Sequence, residues 1–166
     1  IAVVLVIGGV WMLQERLIYF PGGDPGPPPA SWEELQVAST DGVDLTVWTR
    51  FDDTTTSRPV VIVFPGNAGN RAGRVSLGNA LADAGYGVVL TDYRGYGGSE
   101  GSPTEAGLSR DADAAAAWLA ARGHESQVYL GSSVGCGVAV GLAARRPPAG
   151  LVLQSGADDL LPVARR

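Results

Sequence analysis

The sequence predicts an α/β fold, a mostly parallel sheet with helices on both faces. Two observations carry this reading. Four short runs, Pro59–Phe64, Tyr86–Asp92, Gln127–Gly131 and Gly150–Gln154, are largely apolar without strict alternation, the pattern of strands buried on both faces. Segments with helical start and stop signals lie between them, and strands alternating with helices build parallel sheets.

The elements follow in chain order. Leu35–Ser39 and Val43–Arg50 flank Asp41-Gly42, a turn pair that predicts a hairpin. After the strand Pro59–Phe64, Asn70 is placed to cap a helix over Arg71–Ala84, stopped by Gly85. After Tyr86–Asp92, the stretch Ser102-Pro103-Thr104-Glu105 reads as a capping box with Pro at the first helical position. That helix runs to Arg122, stops at Gly123 and lines Leu108, Ala112, Ala115 and Leu119 on one face. The strand Gln127–Gly131 leads into a helix over Val134–Arg146, which Pro147-Pro148 ends before the last strand, Gly150–Gln154. Ligands of such sheets bind at the carboxyl ends of the strands.

Composition narrows the function. The 166 residues suit one domain. The 12 basic residues, all Arg, against 17 acidic ones give a net charge of −5, which argues against a nucleic-acid partner. One Cys and one His exclude an internal disulfide and a Cys/His zinc site. Neither a Walker A motif nor a G-x-G-x-x-G spacing occurs, which argues against a P-loop or a dinucleotide fingerprint.

Three regions are expected. Residues 1–20 form a partial membrane anchor and its lead-in, because Ile1–Leu13 carries no charge. Thirteen helical residues span only about 20 Å, short of the roughly 30 Å hydrocarbon core, so the anchor reads as incomplete. Residues 21–30 (PGGDPGPPPA) are eight-tenths Pro and Gly and read as a spacer. Residues 31–166 form the α/β domain.

The pattern G-x-S-x-G occurs twice, around Ser99 and around Ser133. A catalytic serine of this type needs a strand, a sharp turn and a helix around it, with small flanking residues. Ser133 has that context, directly between a strand and a helix. Ser99 lies seven residues beyond its strand and reads as a loop residue. A nucleophilic serine also needs donors for the oxyanion. The N–H of Val134, at the start of the helix, is one. The Gly-rich loop Pro65–Asn70 supplies the second, assigned to the N–H of Asn67.

FPGNAGN, DYRGYGGSEGSPTEAG and YLGSSVGCGVA, in this order and spacing, resemble the α/β-hydrolase superfamily. The nearest resemblance is to its membrane-anchored serine hydrolases, related to lysophospholipases, acyl-protein thioesterases and serine-aminopeptidase-like proteins. It implies the α/β-hydrolase fold and a Ser–His–Asp triad that cleaves esters, thioesters or amides of small-molecule or lipid acyl substrates without a cofactor. Pro65 stands where that family usually has His, and Cys136 where a second Gly is usual; Cys136 is expected to pack against the sheet.

The triad order in this fold is Ser, acid, His, and no His follows Ser133. His124 precedes the strand that carries Ser133, so roughly 16 Å of strand separates them. It is expected to be a solvated loop residue. Asp92 is expected to order the Tyr93–Gly98 loop through Arg94, and Asp158 or Asp159 would be an atypical acid. The catalytic acid and His are therefore not expected in this chain, which reads as lacking the C-terminal third of the domain. The competing reading is a non-catalytic α/β scaffold or binding module.

Overall fold

The computed structural model describes residues 15–51 and 58–155. Its strands are β1 (Phe20–Pro21), β2 (Glu33–Ala38), β3 (Asp44–Arg50), β4 (Val60–Phe64), β5 (Ala68–Gly69), β6 (Gly87–Thr91), β7 (Gln127–Ser132) and β8 (Gly150–Gln154). Residues 15–18 are helical; the helices that pack on the sheet are α1 (Val75–Asp83), α2 (Glu105–Ala120) and α3 (Val134–Arg145), and a 3-10 turn over Arg71–Arg74 precedes α1. The main sheet has the order β2-β3-β6-β4-β7-β8. β3 pairs antiparallel with β2 and β6, and the other neighbours are parallel.

The apolar runs are continuous because both faces of the sheet are covered. Val60, Ile62 and Phe64 join one cluster with Leu108, Ala112, Ala115, Leu119, Ala139 and Leu142 of α2 and α3. Val61 and Val63 alternate into the opposite cluster with Trp32, Trp48, Val88 and Leu90, onto which Leu77 and Leu81 of α1 pack. Burying a large aliphatic side chain in this way contributes about 1.5–3 kcal/mol.

Sheet order places the site. The chain leaves β4 for β6 on one side and later returns past β4 to β7 on the other. The connections from β4 and from β7 therefore diverge at the carboxyl ends of these adjacent strands, the crevice in which α/β sheets bind ligands.

Several expectations are corrected. Arg71–Arg74 forms a separate 3-10 turn, capped by the Asn70 side chain, which accepts from the Ala72 N–H. The Arg71 side chain turns inward and is buried. The N-cap of α2 is Thr104, whose hydroxyl accepts from the Gly107 N–H, so Ser102 and Pro103 lie outside the helix. His124 is buried, not solvated, with its ring edge-on to Phe51 at 4.8 Å between centroids. The first two residues of the Pro/Gly stretch, Pro21 and Gly22, are hydrogen-bonded or paired to the domain. β1 pairs with β5, and Gly22 donates to the Gly69 carbonyl and accepts from the Gly97 N–H. Ile1–Leu13 and Asp158–Asp159 lie outside the described residues. Among the described residues, no helix is long and apolar enough to cross a membrane.

Candidate active site

Ser133 occupies the one-residue turn between β7 and α3. Its backbone sits at φ 52° and ψ −117°, a conformation that costs an ordinary L-residue about 1–3 kcal/mol and persists only where the surroundings impose it. Here the surroundings are two glycines. A Cβ on Gly131 would stand 2.4 Å from the Gly135 carbonyl oxygen, and one on Gly135 would stand 2.2 Å from the Phe64 oxygen. Strand, turn and the first turn of α3 therefore pack backbone against backbone, and the turn has no room to relax. The Ser133 N–H is fixed to the Gln154 carbonyl at 3.0 Å. Its side chain is solvent-exposed and makes no capping bond to α3.

The loop after β4 lies against this turn. A Cβ added at Gly66 would be 3.4 Å from the Ser133 Cβ, which places the backbone of this loop at Gly66 against the serine. Val134 opens α3, so its N–H is one of the unpaired donors at a helix start. Among the described residues, no acceptor takes the N–H of Val134 or of Asn67. The carbonyls of Pro65 and Asn67, on either side of the Gly66–Asn67 peptide, are both engaged. Pro65 O accepts from the Tyr93 hydroxyl at 3.0 Å, and Asn67 O accepts from the Tyr96 hydroxyl at 2.9 Å and the Phe20 N–H at 2.8 Å. The Asn67 side-chain amide donates to the Ile18 carbonyl. This use of the Tyr93–Tyr96 loop and of the lead-in was not visible in the sequence, because the partners are 28 to 49 residues apart.

Asp92 directly follows β6 but does not act through Arg94. It binds Arg71 at 2.8 Å, and the same Arg71 nitrogen donates to the Gly97 carbonyl. Arg71 also pairs with Glu34 at 2.7 Å and stacks on Trp48. Burial raises the Asp92 pKa to about 6, against the opposing pull of the Arg71 guanidinium. Arg94 instead pairs with Asp111 and Asp41, tying the loop to α2 and to the hairpin turn. Its guanidinium holds the Asp41 carboxyl well below the usual range.

The remaining candidates sort by position. The Ser99 hydroxyl is buried and accepts from the Thr46 N–H of β3 at 2.9 Å, which anchors its loop to the sheet. The Cys136 thiol is buried against the Gly131 carbonyl at the foot of the turn. His124 precedes β7, whose six residues put it roughly 20 Å from Ser133. Among the described residues, no group of three or more His, Cys, Asp or Glu could hold a metal ion.

Comparison with known proteins agrees with this fold. A family model described as the alpha/beta hydrolase fold matches residues 59–165. An uncharacterised protein of Mycobacterium tuberculosis is 44% identical over 165 residues, covering 95% of this chain and 59% of its own length. The lysophosphatidylserine lipase ABHD12 of Gallus gallus is 43% identical over 117 residues, which is 66% of this chain and 31% of that protein. Among solved structures, the Pyrococcus furiosus esterase Pf2001 superposes with a TM-score of 0.73 at 23% identity, over 90% of this chain and 62% of the esterase, and shares its fold. An alpha/beta hydrolase of Novosphingobium aromaticivorans is 30% identical with a TM-score of 0.62, over 76% of this chain and 45% of its own. The chain thus spans at most about six-tenths of the length of these relatives.

Proposed function

The chain belongs to the alpha/beta hydrolase family, and on that premise we propose that it carries the nucleophilic half of a serine hydrolase active site. Ser133 attacks the acyl carbon of an ester, thioester or amide, and the bond to the leaving group breaks as an acyl-enzyme forms. The tetrahedral oxyanion is held by the N–H groups of Val134 and Asn67, and water then releases the acid. The observation that carries this reading is the strained, exposed Ser133 turn lying against an N–H-bearing loop. A lone serine hydroxyl is a weak nucleophile. The general base and its acid are proposed to come from sequence outside these 166 residues, in the order acid then His. The likeness to lysophosphatidylserine lipases favours a monoacyl lipid ester as substrate. The apolar Ile1–Leu13 run is proposed to anchor the protein to a membrane beside that substrate.

The test is ester turnover by the full-length protein. Ser133→Ala should reduce hydrolysis of short p-nitrophenyl esters by several orders of magnitude, while Ser99→Ala retains most of it. Turnover that survives in Ser133→Ala would support a non-catalytic role for this turn.

A further inference from the structure

The peptide that offers the Asn67 N–H, Gly66–Asn67, is the weak point of the proposed oxyanion hole. It follows a glycine, whose backbone rotates with little steric resistance. A flip of this single peptide would turn its carbonyl, not its N–H, toward Ser133. Nothing grips it directly among the described residues, yet both of its neighbours are held. The preceding peptide, Pro65–Gly66, has its carbonyl on the Tyr93 hydroxyl at 3.0 Å. The following one, Asn67–Ala68, has its carbonyl on the Tyr96 hydroxyl at 2.9 Å and on the Phe20 N–H at 2.8 Å.

Both tyrosines are buried, and their rings meet edge to face at 6.0 Å. Their loop is itself clamped, by Arg71 on the Gly97 carbonyl and by Arg94 between Asp111 and Asp41. The hydroxyls are therefore fixed points. We infer that Tyr93 and Tyr96 are positioning residues for catalysis, which pin the two peptides flanking Gly66–Asn67 and so keep the Asn67 N–H aimed at the oxyanion. The lead-in strand β1 is the third pin, since Phe20 shares the Asn67 carbonyl with Tyr96. A flip of the central peptide requires compensating rotation at Gly66 and Asn67, and pinned neighbours oppose it.

This inference rests on the serine-hydrolase reading, and the experiment separates the two. In the full-length protein, Tyr93→Phe, Tyr96→Phe and the double variant keep the rings and remove only the hydroxyls. Active sites are titrated with a fluorophosphonate, so that misfolded protein drops out, and kcat per titrated site is measured with p-nitrophenyl butyrate. Binding of a boronic acid, which forms a tetrahedral adduct on the serine, is measured in parallel. Each single variant should lower kcat about threefold to tenfold, the scale of one hydrogen bond. The double variant should lose about tenfold to 100-fold, with KM within about twofold and boronic acid affinity falling by the same factor as kcat. A merely structural role would lower the melting temperature and the fraction of titratable sites but leave kcat per site and boronate affinity unchanged. That outcome, in a protein whose turnover depends on Ser133, would overturn the positioning role alone. Turnover surviving in Ser133→Ala would overturn the serine reading and this inference together.

Discussion

Replacing Gly135 by Ala is the sharpest single perturbation of the turn that presents Ser133. The added methyl would stand 2.2 Å from the Phe64 carbonyl oxygen and 2.6 Å from that of Pro65, where ordinary contact begins at 3.4 Å. Both obstacles are backbone, so no side chain can swing away. The start of α3 must retreat from the end of β4 by about 1.2 Å, the difference between the first and last of those distances. That displacement carries Val134 and Ser133 away from the Asn67 loop. A misplacement of about 1 Å at a catalytic centre costs on the order of 100-fold in rate, and overpacking of this kind costs about 1–3 kcal/mol of stability. Gly137, two residues along the same helix, is the control, because a Cβ there meets nothing within 4 Å. Gly137→Ala should retain activity and gain up to about 1 kcal/mol from helix propensity. The assay is kcat/KM on a p-nitrophenyl ester together with thermal melting of the full-length protein. Wild-type rates in Gly135→Ala, or equal losses in both variants, would refute the claim that backbone contact across this turn sets the geometry.

Two further outcomes are expected. Burial raises the Asp92 pKa to about 6 from the ordinary 3.8 of an aspartate, so between about pH 4 and 6 the native state holds a proton that the unfolded chain has released. Asp92 therefore withdraws stability as pH rises through that window, up to about 3 kcal/mol at neutral pH. Asp92→Asn lacks this dependence, and its stability relative to wild type, from denaturant melts, should rise between pH 4 and 7; a relative stability that falls instead would mean that the Arg71 pair outweighs burial. Truncation should also divide the N-terminus. Removing residues 1–13 should release the protein from membranes with its turnover intact, whereas removing residues 1–29 also takes β1 from the Asn67 loop and should lower kcat. Full-length protein in the soluble fraction with an unprocessed N-terminus would count against the anchor.

The parts of this molecule legible in its sequence are those that a few consecutive residues decide. β4 reads as a buried strand because Val60, Ile62 and Phe64 face one cluster while Val61 and Val63 face the other. The Ser133 turn reads from Gly131 and Gly135, since the contacts that demand glycine lie within the motif or one strand away. Pairings between distant residues do not read. Arg71 reads only as the start of a helix, whereas its charge is matched by Asp92 and Glu34, 21 and 37 residues away. His124 looked solvated, but it is buried, with its ring packed edge-on to Phe51, a residue 73 positions earlier. The pairing of the lead-in with the Asn67 loop does not read, because two-residue strands such as β1 and β5 carry no periodicity. The shift of the α2 cap from Ser102 to Thr104 is a choice between two competent hydroxyls, made by which one reaches a free N–H at the right spacing.

The most direct measurement is the site of covalent labelling. The full-length protein is treated with a fluorophosphonate probe, digested, and the modified peptide located by mass spectrometry. A nucleophile at the turn between β7 and α3 predicts phosphonylation on the Ser133 hydroxyl, lost in Ser133→Ala and unchanged in Ser99→Ala. Labelling at any other residue, or hydrolysis that proceeds with Ser133 unmodified, would contradict it.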